Sequence, residues 1–183
     1  MAASDRSRTL TGAPAGLPGD GALAPLALAA VASVGTAALV LGHHRLLAGV
    51  VALAAAAPLL AGSIAARGSG APGRLAILVI DRVFDASVLA PLAWTTREAA
   101  PRVSALALVC LGASFVASYE RARGEALGFR GRETIEYRVA RVTLLLLALL
   151  TGRVELFLWV FVVVVASAVA VRWWNVQRQV RTG

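Results

Sequence analysis

The stretch LAILVIDRVFDASVLAPLAW, residues 75–94, reads as a membrane-spanning helix with Asp81, Arg82 and Asp85 near its middle. An ionisable side chain at the centre of a bilayer costs about 2.5–3.5 kcal/mol on insertion scales. Such groups persist where they face a protein interior, pair with one another or line a wet cavity. Asp81 and Asp85 are one helical turn apart, so both lie on one face. An ion pair with Arg82 or another arginine satisfies them; a shared cation is the alternative.

The surroundings fit a membrane protein. The chain has 183 residues, 58% of them hydrophobic, and a mean hydropathy of +0.76. The apolar residues are gathered in runs of about 20, the length that crosses a bilayer as helix. Six spans are expected, at 21–42, 47–66, 75–96, 103–119, 139–150 and 154–171. The runs are too long and continuous for barrel strands, and only helices or closed barrels satisfy the backbone in hydrocarbon. The expected fold is therefore an all-α six-helix transmembrane bundle over residues 21–174. A flexible N-terminal tail (1–20) and a basic C-terminal tail (175–183) flank it. The first span is expected to be a retained helix, because further spans follow it.

The formal net charge is +8, and every basic residue other than histidine is arginine. The arginines fall in short loops between apolar runs, which points to lipid headgroups and orientation rather than nucleic acid. Thirteen of the 18 arginines lie in the N-terminal tail, the second loop, the fourth-loop region and the C-terminal tail; four lie in the other three loops. Both termini are expected to be cytoplasmic, in a multi-pass protein of the cell membrane. Trp173 and Trp174 close the sixth span as an interfacial belt. Cys110 is the one cysteine, so no intrachain disulfide forms.

Several motifs are excluded. RGSGAPGR (67–74) is no phosphate-binding P-loop, since no Gly-Lys-Ser/Thr follows. His43 and His44 form a tight connection without a metal partner at suitable spacing. Ser87, Ser104 and Ser118 have no His/Asp constellation beside them.

Other pieces form a pattern. Ala66-Arg67 ends the second span, Gly73 opens the third, and Asp81 and Asp85 follow. After the fourth span comes SYERARGEALG, residues 118–128, and then Glu136, Arg138 and Arg141. This resembles the CDP-alcohol phosphatidyltransferase family, nearest its bacterial phosphatidylinositol-phosphate-synthase branch. The resemblance implies a six-helix homodimer with its site at the cytoplasmic end of helices two and three. Its signature is Asp-x2-Asp-Gly-x2-Ala-Arg, a spacer, then Gly-x3-Asp-x3-Asp. It implies Asp81 as the retained base position. It implies Arg67, Gly73, Arg74, Arg121, Arg123 and Arg141 as ligand or phosphate contacts. Flanking arginines set topology as well, and the fourth-loop arginines also suit a solvated face.

The metal ligands of that signature are missing. Read back from Arg67, its first two aspartates fall on Leu59 and Gly62; read from Gly73, the third falls on Ile77. Magnesium and manganese need several hard oxygen donors beside a diphosphate, and these residues supply no side-chain oxygen. The expectation is a degenerate member, inactive alone, with no metal or cofactor. Its role is then lipid binding, scaffolding, or pairing as a homodimer or with an active paralogue. The alternatives are an active transferase using Mg or Mn, with Asp85 as the weak metal candidate, and a small transporter.

Overall fold

The computed structural model describes residues 20–65, 70–128 and 135–182. Among these the chain is all-helical: α1 (Asp20–Leu41), α2 (Arg45–Ala65), α3 (Gly70–Thr96), α4 (Pro101–Ala126), α5 (Ile135–Thr151) and α6 (Val154–Thr182). Six helices appear where six apolar runs are read, but their ends lie further out. α3 begins at Gly70, inside the glycine-rich stretch taken as a loop. α4 runs on to Ala126, through the first part of the polar stretch. α6 continues to Thr182, so the basic C-terminal segment is helical through that residue. Hydropathy marks where the side chains turn polar; helical hydrogen bonding does not stop there. The N-terminal tail through residue 19 lies outside the described residues.

Each helix buries a stripe at helical spacing. α3 buries Asp81, Phe84, Asp85, Val88, Leu89 and Leu92. α5 buries Arg141, Val142, Leu145 and Leu149, and α6 buries Leu158, Phe161 and Val165. α2 contributes Ala48, Ala52, Ala55 and Ala56, small residues that bring backbones close. The helices close a ring in the order α1, α2, α5, α6, α4, α3, and α3 also touches α2 and α5 across it.

The outer faces are apolar too. Leu28, Val31, Val34, Leu53, Val116 and Val163 are all more than half exposed. A water-soluble surface does not carry so much contiguous hydrocarbon. Four helices are long and apolar enough to cross a membrane: α1 over Ala24–Leu41, α2 over Arg45–Gly62, α4 over Pro101–Ala126 and α6 over Val154–Gln179. This is a membrane protein. α3 carries three charges in mid-helix, and α5, at 17 residues, is about 26 Å long, a little under the hydrocarbon thickness.

The α1–α2 connection explains the two histidines. His43 takes a left-handed φ of 61°. The His44 amide then reaches back to the Leu39 carbonyl at 2.9 Å, and the His43 amide to Val40 at 3.0 Å. This pair of bonds caps the C-terminus of α1.

Candidate functional site

The charges of α3 meet arginines of α5 and a serine of α4. Arg138 Nε donates to Asp81 Oδ2 at 2.8 Å, while Arg82 Nη2 stands 3.9 Å from the same oxygen. Asp85 Oδ2 takes Arg82 Nη1 at 2.9 Å, and it also accepts from Arg141 Nη2 and from the Ser114 hydroxyl. Arg82 Nη1 further donates to the Ser114 carbonyl at 2.8 Å. Asp81, Asp85, Ser114 and Arg141 are all buried. The Asp81–Arg138 and Asp85–Arg141 pairs advance together along their helices, so α3 and α5 run in the same direction.

The local sequence puts each of these groups on an inward face of its helix. Asp81 and Asp85 occupy successive turns of the inward stripe of α3. Arg138 and Arg141 occupy the first two turns of α5. Ser114 sits on the buried face of α4, on the line Ala107, Cys110, Ser114, Ala117 and Arg121. Depth follows from a second ion pair. Arg172 of α6 donates to the Ala117 carbonyl at 2.9 Å and lies 3.3 Å from Glu120 Oε2. Ser114 is about one turn, ~5 Å, further in than Ala117. The 18 residues between Arg153 and Arg172 span about 27 Å, close to the hydrocarbon thickness. The cluster thus lies just beneath one face of the bundle, at the end where α4 and α6 leave it, rather than at mid-depth.

The other sequence candidates divide. Arg141 binds Asp85. Arg121 is buried at the same end of the bundle, whereas Arg123 is exposed. Gly73 and Arg74 lie in the first two turns of α3; the Arg74 side chain and all of Arg67 fall outside the described residues. Leu59 is buried in the main apolar core, and Ile77 packs with Leu26. Gly62 also faces Leu26: a Cβ built on it meets the Leu26 Cδ2 at 2.9 Å. Leu59, Gly62 and Ile77 are therefore all packed against hydrocarbon.

This arrangement does not suit a divalent cation. The two carboxylates are surrounded by guanidinium groups, whose positive charge opposes a metal at the same oxygens. Among the described residues no group of three or more His, Cys, Asp or Glu is placed to hold a metal. What the cluster does chemically is neutralise charge within the bundle and tie three helices together.

Arg82, the neighbour along the helix, is near Asp81, but Arg138 makes the shorter contact. Ser114 was not singled out from the sequence. Its signal was available: it is a polar residue on the apolar stripe of α4. The Arg172–Glu120 pair had no such signal, because it depends on which helices are neighbours. No protein-family model matches this chain, and no curated protein matches it.

Proposed function

We propose that this chain is a catalytically silent membrane protein of the CDP-alcohol phosphatidyltransferase kind. In this reading the carboxylates of α3 hold the bundle together instead of holding metal. It has six membrane-spanning helices, both termini in the cytoplasm, and resides in the cell membrane. It serves as a lipid-binding or scaffolding partner in phospholipid metabolism, as a homodimer or paired with an active relative.

One observation carries the reading. Both acids of α3 are engaged by arginines, Asp81 by Arg138 at 2.8 Å and Asp85 by Arg82 at 2.9 Å and by Arg141. Leu59 and Ile77 are buried in apolar surroundings. Phosphoryl transfer from a nucleotide diphosphate rests on metal-assisted charge neutralisation and positioning. Residues that offer two arginine-bound carboxylates and no further donors do not fit that metal pair. The internal pairing also supports α3 as a fifth span, since its charges face partners rather than lipid. α5 supplies two of those partners and must lie beside α3 at the same depth.

The test is release of CMP from CDP-diacylglycerol by the purified protein with magnesium or manganese, across alcohols and alcohol phosphates. No release above a protein-free control is expected. Turnover that is lost in Asp81→Asn would establish the active-transferase alternative instead.

A further inference from the structure

The two oxygens of the Asp85 carboxylate are unequally served. Oδ2 accepts from Arg82, from Arg141 and from the Ser114 hydroxyl. Oδ1 accepts from no protein donor, although it is buried, on a side chain that is 1% exposed. An ionised carboxylate offers acceptor sites on both oxygens. A buried acceptor that makes no hydrogen bond bears its whole desolvation cost, and the cost is greater for a charged group. The geometry therefore leaves one strong acceptor facing the interior of the bundle.

The chemistry around Oδ1 narrows what it binds. A cation is opposed by the guanidinium groups of Arg82 and Arg141 on the same carboxylate. The next hydroxyl along α3, on Ser87, donates to the Phe84 carbonyl at 2.8 Å. One turn before Ser114 on α4, the Cys110 thiol donates to the Leu158 carbonyl at 3.4 Å. Both are committed elsewhere. Arg82 and Arg141 hold Oδ2 through their Nη atoms, and their buried Nε–H groups take no part in those contacts. A small neutral molecule that donates to Oδ1 and accepts from an Nε–H matches this set. Water does both, and a buried water makes about three such bonds, to polar groups that lack a direct partner.

We propose that the ion cluster of α3, α4 and α5 encloses an ordered water molecule bound to Asp85 Oδ1. Asp85 Oδ1 is the acceptor that fixes it, and an Nε–H of the surrounding guanidiniums donates to it. The water completes the hydrogen bonding of the carboxylate and does not stand in for its charge. It is held by Asp85 and leaves with it. Through the arginine of α5 it links that helix to α3 by a path separate from the direct ion pairs. The site depends on the packing of these side chains, so it stands whether or not the chain is catalytically silent.

Crystals of the unaltered full chain grown from a lipidic phase test this directly. One peak of density is expected about 2.5–3.0 Å from Asp85 Oδ1 and about 2.7–3.2 Å from an arginine Nε. An Oδ1 enclosed by carbon alone, or bonded to a protein donor, overturns the proposal. So does a peak that gains anomalous signal after a rubidium chloride soak, which marks a cation. Infrared spectra of the protein in hydrated lipid films give a second readout. The O–D stretching region is compared between ordinary and heavy-oxygen D2O, for the unaltered chain and for Asp85→Leu/Arg141→Met. An oxygen-isotope-sensitive band of strongly bonded water is expected in the unaltered chain and lost in the double variant. A band of equal strength in both, or in neither, counts against the water. Should the double variant misfold, as its amide I band would report, the crystal decides.

Discussion

Replacing Asp85 by leucine removes the one acceptor shared by Arg82, Arg141 and Ser114. Asp85 is 1% exposed and Arg141 3%, so water cannot replace the lost carboxylate. Leaving a buried charge without its partner costs about 3–5 kcal/mol. Arg141→Met is milder. Asp85 then keeps Arg82 at 2.9 Å and the Ser114 hydroxyl, and the loss is that of one charged hydrogen bond, about 1.5–3 kcal/mol. In Asp85→Leu/Arg141→Met the pair becomes two apolar side chains of similar volume, a change that is often close to neutral. Arg82 retains the Ser114 carbonyl at 2.8 Å. The double variant is therefore expected to be more stable than Asp85→Leu alone, with a coupling of at least about 2 kcal/mol. The assay is reversible unfolding in mixed micelles, read by alkylation of Cys110. That thiol is fully buried and donates to the Leu158 carbonyl at 3.4 Å, so it reacts as the bundle opens. Additive losses, or a cost below about 1 kcal/mol for Asp85→Leu, would show that the cluster does not hold the helices together.

Four further outcomes are expected. Gly62→Ala destabilises by about 1 kcal/mol by Cys110 alkylation, because overpacking against the buried Leu26 outweighs the gain in helix propensity. Gly112→Ala, whose added Cβ has nothing within 4 Å, stabilises by about 0.5–1 kcal/mol in the same measurement. Arg172→Gln loses a partly buried ion pair to Glu120 and a bond to the Ala117 carbonyl. It lowers stability by about 1 kcal/mol, a loss that Glu120→Gln should reproduce in part. In a Cys110→Ala background, cysteines at the exposed positions 98 and 125 are expected to label from opposite faces of sealed vesicles, position 125 from the cytoplasmic face; labelling of both from one face would refute the six-span topology.

The helices were legible because each bundle helix must bury one stripe and present another to lipid, which gathers apolar residues into runs. Their ends were not, since Gly70, Arg123 and Arg178 take helical conformation without being apolar. The buried carboxylates announced themselves by their cost: Asp81 and Asp85 in hydrocarbon require partners. Which partners they have was only partly readable. Arg82 follows from spacing along one helix, but the Arg138, Arg141 and Ser114 contacts depend on α5 and α4 packing against α3, which no local pattern encodes. Likewise Gly62 reads as a lost ligand position in the sequence and proves to be the contact point of α2 with Leu26 of α1.

The separation of the paired charges along the chain bears on how the protein is made. Asp81 and Arg138 are 57 residues apart, and Asp85 and Arg141 are 56 apart. At a synthesis rate of about 5–20 residues per second, the acids emerge roughly 3–11 s before the α5 arginines that will bind them. Through that interval α3 offers them only Arg82 from its own turns. A nascent chain halted before residue 138 can offer these acids Arg82 and the Ser114 hydroxyl of α4, but neither arginine of α5. A fragment ending in the fourth loop is therefore expected to insert α3 less completely than the full chain does.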